Sequence, residues 1–212
     1  MGLANYAEYP TTGCPTNARN SDGWCCNAQT PIVIDVDHSG FHLTGVDDGV
    51  HFDIANSGLK PLISWTARYS TNAWIALDRN GNGIIDNGAE LFGNATPQPD
   101  PPSGQSKNGF LALAVFDKPE NGGNGDGLID RQDAVYEKLL LWQDANHDGI
   151  SQPDELKHLR NFGIEAISLR YEESRREDQF GNLFRYKSRI YSAGHRADGR
   201  WTYDVILLVA PE

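Results

Sequence analysis

The sequence has little positive charge and no long apolar run. It carries 18 Lys and Arg against 29 Asp and Glu, a formal net charge of −11. A surface that binds phosphate backbones or anionic lipids needs clustered Lys and Arg, so this balance argues against nucleic acid and anionic membranes and favours cations as partners. The longest apolar run, residues 205–210, is only of strand length, and crossing a bilayer takes roughly 18 apolar residues, so no membrane span is predicted.

A readable secretion signal and an even set of cysteines are also lacking. The first residues have neither a basic region nor an apolar core, so secretion would use another route, or the chain would be a fragment of something longer. The three cysteines, Cys14, Cys25 and Cys26, lie near the N-terminus. Both a disulfide from Cys14 to one of the vicinal pair and free thiols stay open.

Motifs of nucleophilic or zinc-dependent hydrolysis are absent as well. The sequence has no G-x-S-x-G, no H-E-x-x-H, and six His scattered singly. Trp65, Trp74, Trp142 and Trp201 lie in periodic apolar runs, which favours a core role over a carbohydrate platform. We therefore expect a non-enzymatic protein.

Composition divides the chain into an arm and a module. Residues 1–30 are rich in Asn, Thr, Gly and Cys without periodicity, which predicts an irregular N-terminal arm. Residues 31–212 form the module, with a strand-rich part (31–78), a central part of EF-hand-like loops and helices (78–163) and a C-terminal β-meander (164–212). The expected fold class is α+β, in which short antiparallel strands flank central helix-loop-helix calcium loops and an antiparallel meander follows.

Short apolar runs and caps place the individual elements. Strands are predicted at 32–36, 50–54, 62–67, 73–78, 164–171, 183–191 and 201–209. In the strand at 183–191, Phe184, Tyr186 and Ile190 are expected on one face and Arg185, Lys187 and Arg189 on a solvated one. Helices are predicted at 88–92, after an Asn108 cap, at 132–142, and from Ser151 to Phe162 with Gly163 as the stop.

One acidic stretch carries the strongest chemical pattern, W-Q-D-A-N-H-D-G-I-S-Q-P-D-E-L at 142–156. Counted from Asp144, oxygen-bearing side chains stand at positions 1, 3, 5 and 12, and Gly149 stands at position 6, where a sharp bend is needed. Calcium takes about six to eight oxygens at about 2.3–2.6 Å, and alternate side chains of a tight loop can supply them. The predicted ligands of this loop C are Asp144, Asn146, Asp148, the backbone carbonyl of Ile150, and Glu155.

Two further loops repeat the pattern with departures. In loop A the closing acid stands at position 13 instead of 12, and the predicted ligands are Asp78, Asn80, Asn82, the carbonyl of Ile84, Asp86 and Glu90. In loop B, Gly122 replaces the first acid, and Asp117 is expected to fold back across an insertion to supply it. The other predicted ligands of loop B are Asn124, Asp126, the carbonyl of Leu128, and Asp133.

The pattern predicts two calcium ions and a third in loop B, since magnesium favours near-octahedral sites that keep waters. Asp, Asn and Gly also suit turns without any metal, which is the competing interpretation. Two weaker copies, at 35–41 and 53–59, are interpreted as tight structural turns. The side chain of His147, at position 4 of loop C, is expected to point outward into solvent.

Together these segments resemble a known family. From Pro31 to Arg189 the chain is similar to the calcium-binding module of large secreted bacterial proteins, including the self-processing module of iron-regulated RTX proteins. The resemblance implies an extracellular or cell-surface location, a calcium-dependent fold, and neighbouring domains of a larger secreted protein as partners. A partner-docking role is compatible with it.

Some members of that family cleave an Asp-Pro bond at the entrance of the first strand, where the Asp carboxylate attacks its own carbonyl. The matching bond here is Thr30-Pro31, which has no such carboxylate. Calcium-triggered self-processing is therefore the disfavoured alternative to a binding module. The sequence's single Asp-Pro bond, Asp100-Pro101, lies in a Pro-rich linker and does not match the family position.

Overall fold

The regular structure of the protein is almost entirely antiparallel β. The computed structural model describes residues 29–103, 105–192 and 200–210. The predicted arm up to residue 28, with its cysteines, lies outside this part. The described strands are β1 (Ile32–Asp35), β2 (Val50–His51), β3 (Leu62–Ile63), β4 (Asn72–Ala76), β5 (Leu128–Asp130), β6 (Leu140–Trp142), β7 (Leu156–His158), β8 (Ile164–Ser168), β9 (Glu172–Glu177), β10 (Leu183–Ser192) and β11 (Arg200–Ile206).

Nine of these strands form one sheet that curls into a half-barrel. The strand order of this sheet is β5-β8-β10-β11-β1-β4-β6-β7, and the ninth strand, β9, pairs with β10 next to β8. Strands β2 and β3 form a separate two-stranded sheet. The central strand β1 places Val33 opposite Tyr203 of β11 on one side and Trp74 of β4 on the other.

The sheet is buried on both faces, which explains its continuous apolar runs. Ile32 and Ile34 of β1 enter one cluster, called here the first core, whereas Val33 enters the second core. The second core holds Trp65, whose ring centroid lies 4.7 Å from that of Trp74 and 5.3 Å from that of Trp142. The expected core role of these three residues is confirmed, and Trp201 packs against the same cluster from a partly buried position.

The α+β fold class with helix-loop-helix loops is wrong. The predicted helix at 132–142 is a 3-10 turn, Tyr136–Lys138, followed by strand β6. Leu141 and Trp142 are adjacent but enter the first and second cores, respectively. Side chains that alternate between two cores need a period of two, so tertiary packing overrides the helical spacing.

Two other predicted helices are wrong for related reasons. The segment from Ser151 to Phe162 contains strand β7, which pairs with β6, and a 3-10 turn, Leu159–Phe162. Gly163, at φ 64, does end that turn. The segment at 88–92 returns alongside β4 through a bridge between Ala76 and Leu91.

The helix predicted after Asn108 is confirmed. It is α1 (Gly109–Ala114), and the Asn108 side chain accepts a hydrogen bond from the amide of Leu111 at 3.0 Å. Phe110 and Leu113 are fully buried in the first core. This is the one α-helix in the described residues.

A bulge in β10 changes the predicted faces of that strand. Its register against β11 shifts between Phe184 and Tyr186, so Phe184 enters the second core while Tyr186 and Ile190 enter the first. Arg185, expected in solvent, is instead buried at the bulge. The C-terminal strands are antiparallel as expected, and β9 was not predicted.

Candidate metal loops

Loops A and C are the turns of β-hairpins. Loop A leaves β4 and returns where the amide of Leu77 donates to the carbonyl of Glu90 at 2.8 Å. Loop C connects β6 to β7, and the amide of Gln143 donates to the carbonyl of Glu155 at 3.1 Å. Paired strands thus hold the ends of each loop where helices were expected.

The first acid of each loop holds the bend through the glycine at position 6. The Asp78 carboxylate accepts the amide of Gly83 at 2.8 Å, and the Asp144 carboxylate accepts that of Gly149 at 2.9 Å. Both glycines have a positive φ, 84° and 71°, which side chains with a Cβ rarely adopt. In loop B, the carboxylate that accepts the corresponding amide, that of Gly127 at 3.0 Å, belongs to Asp117.

The side chains at positions 3 and 5 form two successive turns in every loop. In each case the side-chain oxygen accepts the amide two residues further on, which turns these side chains inward. The acceptor and donor pairs are Asn80 and Asn82 (3.0 Å), Asn82 and Ile84 (2.9 Å), Asn124 and Asp126 (3.1 Å), Asp126 and Leu128 (2.9 Å), Asn146 and Asp148 (3.1 Å), and Asp148 and Ile150 (2.8 Å).

The closing acids of loops A and C fold back onto the loop entrance. Glu90 accepts the amides of Arg79 at 2.9 Å and Asp86 at 2.8 Å, one on each carboxylate oxygen. Glu155 accepts the amide of Ala145 at 2.9 Å and the indole N–H of Trp142 at 3.2 Å. The structure therefore brings the closing acid back to the amide that follows position 1 in both loops, including loop A, where the acid stands one residue later.

The closing acid of loop B is different. Oδ2 of Asp133 accepts the amide of Asp130 at 2.8 Å, and the carboxyl also receives a hydrogen bond from the backbone of Asn124. Burial raises the pKa of the Asp133 carboxyl, and the nearby charge of Asp117 raises it further.

Side-chain amides surround the remaining acid of loops A and C. Oδ2 of Asp86 accepts the amide nitrogens of Asn80 at 2.9 Å and Asn82 at 2.8 Å. Oδ2 of Asp148 accepts those of Asn146 and Gln152, both at 2.9 Å. These hydrogen bonds partly compensate the negative charge gathered in each loop.

All the donors that the three loops present are oxygens from carboxylates, amides and backbone carbonyls. Such a set suits a hard cation and not zinc or copper, which take nitrogen and sulfur. In the described part of the chain, no group of three or more His, Cys, Asp or Glu side chains lies close enough to hold a metal ion.

Contacts with neighbouring segments, which no sequence pattern indicated, fix loop C in place. The His147 ring does not point into solvent, because its nitrogens lie 2.6 Å from the carbonyl oxygen of Thr66 and 2.9 Å from that of Asp48. The hydroxyl of Ser151 accepts the amide of Ile85, which joins loop C to loop A at 2.7 Å.

The two weaker copies of the pattern are tight turns, as predicted. The carboxylate of Asp35 accepts the amide of Gly40 at 3.0 Å, and that of Asp53 accepts the amide of Gly58 at 2.7 Å. They keep the contact between positions 1 and 6 that the three loops share.

The Thr30-Pro31 bond lies in a buried polar cluster. The Thr30 hydroxyl donates to Oδ2 of Asp204 at 3.0 Å, and the same oxygen accepts the amide of Gly109 at 2.7 Å. Burial raises the pKa of Asp204, an effect that the positive charge of Arg185 partly offsets. Asp100 of the Asp100-Pro101 bond is exposed, and its Oδ1 lies 3.7 Å from Nζ of Lys107.

Comparison with known proteins gives a family match over most of the chain. A family model described as the SPM domain matches residues 32–207. The iron-regulated protein FrpA of Neisseria meningitidis serogroup C is 38% identical over 154 residues, which cover 72% of this chain and 13% of that protein. Among the described residues, no helix is long and apolar enough to cross a membrane.

Proposed function

Because the chain belongs to the SPM domain family, matched over residues 32–207, we propose that it is a calcium-stabilised module of a larger secreted bacterial protein. The observation that carries the proposal is the hydrogen-bond pattern that loops A and C share, which presents oxygens at the same positions of two separate hairpins. The proposed role is structural, with neighbouring domains of the same protein as partners and an extracellular location.

In loop C the proposed ligands are held in place by backbone amides. A carboxylate oxygen has two lone pairs, so Asp144 and Glu155 can accept their amide hydrogen bonds and still offer lone pairs to a cation. Outer contacts of this kind orient the ligands of a metal and tune its binding. Asn146, Asp148 and the carbonyl of Ile150 would complete the oxygen set.

In loop A the same roles fall to Asp78, Asn80, Asn82, Asp86 and Glu90, together with the carbonyl of Ile84. A cation at the loop centre would replace the side-chain N–H donors of Asn80 and Asn82 at Asp86. The side-chain oxygens of Asn80 and Asn82 each accept one backbone amide and keep a lone pair for the ion. Calcium accommodates such a flexible mixed set of ligands better than magnesium.

Ion binding would act on the second core through the ends of the two hairpins. Glu155 accepts a hydrogen bond from Trp142, and Trp142 packs against Trp65 in the second core. A cation bound to Glu155 would therefore be linked to that core through Trp142. Each site that binds only the folded chain would add about 2.7 kcal/mol to the free energy of unfolding at calcium one hundred times its dissociation constant. Relief of charge repulsion is part of this binding free energy, because the chain carries a net charge of −11.

We also propose that the chain does not cleave itself at Thr30-Pro31. Residue 30 offers a hydroxyl already engaged with Asp204, and the carboxylate route requires an acid at that position. Incubation with calcium followed by mass spectrometry tests this, and a fragment that begins at Pro31 would contradict it.

Isothermal titration of the metal-free chain tests the calcium proposal directly. We expect calcium uptake and a rise in melting temperature that EDTA reverses, with one ion lost in Asp78→Ala and one in Asp144→Ala. The absence of uptake together with an unchanged melt in EDTA would refute it.

A further inference from the structure

Tyr69 is the most exposed large apolar side chain among the described residues, at 78%. It belongs to neither the first nor the second core, so its ring contributes little to the packing of the sheet. A single exposed aromatic side chain is common on protein surfaces. The backbone conformation of Tyr69, however, is unusual for a tyrosine.

Tyr69 has a positive φ of 61°, which is a strained conformation for a bulky side chain. Three other non-glycine residues of the described part also have a positive φ, namely His38, Asn56 and His147. Each of these three stands at position 4 of a copy of the loop pattern, and Asn and His tolerate this region better than most residues. Tyr69 lies outside every copy, so the loop pattern does not explain its conformation.

The main chain holds the turn that carries Tyr69. A 2.9 Å hydrogen bond closes this turn at residues 67–70, and Tyr69 is its third residue, a place that Gly or Asn takes when φ is positive. The amide of Tyr69 donates to the carbonyl of Ala145 in loop C at 3.1 Å. Nε2 of Gln143 donates to the carbonyl of Thr71 at 2.7 Å. The ring is therefore presented to solvent by a backbone that is fixed on both sides of it.

The ring forms part of the wall of a groove of about 460 Å³ between this turn and loop C. A volume of this size is typical of small-molecule sites. Glu155 also lines the groove, but both of its carboxylate oxygens already accept hydrogen bonds. The other polar side chains of the lining are Arg68, Gln143, Asn146, Gln152, Asp154 and Lys157.

This lining offers hydrogen-bond donors and acceptors without an excess of either charge. The positive charges of Arg68 and Lys157 face the negative charges of Asp154 and Glu155, which favours a neutral ligand. Carboxylates only accept hydrogen bonds, the two cationic side chains only donate, and side-chain amides do both. The hydroxyl groups of a saccharide also do both, and the C–H face of its ring can stack on an aromatic ring.

We propose that the groove beside Tyr69 is a saccharide-binding site. A pyranose ring stacks on the exposed tyrosine, and its hydroxyls form hydrogen bonds with Asp154, Lys157 and the side-chain amide of Gln143. The strained turn then has a role, because it holds the ring in its binding orientation before the ligand arrives. The polar lining favours a saccharide over a protein, since the centre of a protein–protein interface is more apolar.

NMR titration of the isotope-labelled full chain in calcium tests this site with tetrasaccharides of glucose, galactose, mannose and N-acetylglucosamine. We expect at least one of them to shift the amide signals of residues 67–71, 143–146 and 152–157. Tyr69→Ala should weaken that binding at least about tenfold, whereas Tyr69→Phe, which keeps the ring, should retain most of it. Phe180→Ala removes an exposed ring from a different groove, so it is the matched control and should bind like the wild type.

Tyr69→Gly separates the site from the fold. Glycine adopts a positive φ without strain, so this variant should melt at a higher temperature than Tyr69→Ala and yet bind no better. The proposal would be overturned if none of the four saccharides shifted the signals of the groove, or if Tyr69→Ala bound as tightly as the wild type. Either result would leave the calcium proposal untouched, because the ions are counted in a separate titration.

Discussion

Replacing Asp144 by Ala should lower stability by an amount that depends on calcium. Asp144 is 1% exposed, and its two oxygens accept the amides of Asp148 at 3.1 Å and Gly149 at 2.9 Å. The amide of Asp148 also reaches the side chain of Asn146 at 3.1 Å, so it keeps an acceptor in the variant. The amide of Gly149 loses its side-chain acceptor.

The two contributions can be estimated separately. Without metal, an unsatisfied buried amide lowers the free energy of unfolding by about 1–3 kcal/mol. With calcium at one hundred times the dissociation constant, loss of the loop C ion adds about 2.7 kcal/mol. The variant should therefore lose about 1–3 kcal/mol of stability in EDTA and about 3.7–5.7 kcal/mol in calcium, roughly two to four times as much.

Urea unfolding followed by tryptophan fluorescence measures both values in parallel buffers. Asp154→Ala is the matched control, because Asp154 is an exposed acid of the same loop and should cost less than about 0.5 kcal/mol in either buffer. An equal loss for Asp144→Ala in calcium and in EDTA would show that Asp144 serves the turn alone.

Two further predictions concern the cluster at the entrance of β1. Gly93→Ala should lower the free energy of unfolding by at least about 3 kcal/mol, because its Cβ would lie 1.3 Å from the carbonyl oxygen of Thr30. Gly45→Ala is the control, since its Cβ would have its nearest neighbour at 3.4 Å and should cost under about 1 kcal/mol. Equal melting temperatures of the two variants would contradict this. Burial raises the pKa of Asp204 above its unfolded value of about 3.9, so this residue stabilises the folded state at low pH, and that stability is lost as pH rises through the raised pKa. Asp204→Asn should therefore reduce the decline of the free energy of unfolding between about pH 4 and 7, measured by urea unfolding. An equal decline in the wild type and the variant would count against this.

The loop geometry could be predicted because it is local. An Asx side chain that accepts the amide two residues on, and a glycine that takes a positive φ, act within a few residues and need no other part of the fold. The return of Asp117 was also expected from the sequence, and the structure places it against Gly127. Whether these side chains bind calcium stays a prediction.

The elements around the loops could not be predicted because distant contacts decide them. The apolar spacing of Val135, Leu139 and Trp142 fits a helix, yet Trp142 pairs with Trp74 of β4 and with Leu156 of β7. A single sequence does not show that two cores lie on opposite faces of one sheet. The bulge beside Arg185 is likewise set by pairing with β11 and β9.

The central place of β1 has a consequence for the order of folding. β1 begins two residues after Thr30, but one of its two partners is β11, and the hydrogen bond from Thr30 to Asp204 spans 174 residues of sequence. Contacts so distant form late and slow the folding of a domain. In a chain that emerges from its N-terminus, β1 keeps one unpaired apolar edge until residues 200–206 arrive, so the arrival of β11 determines when the sheet can close on β1.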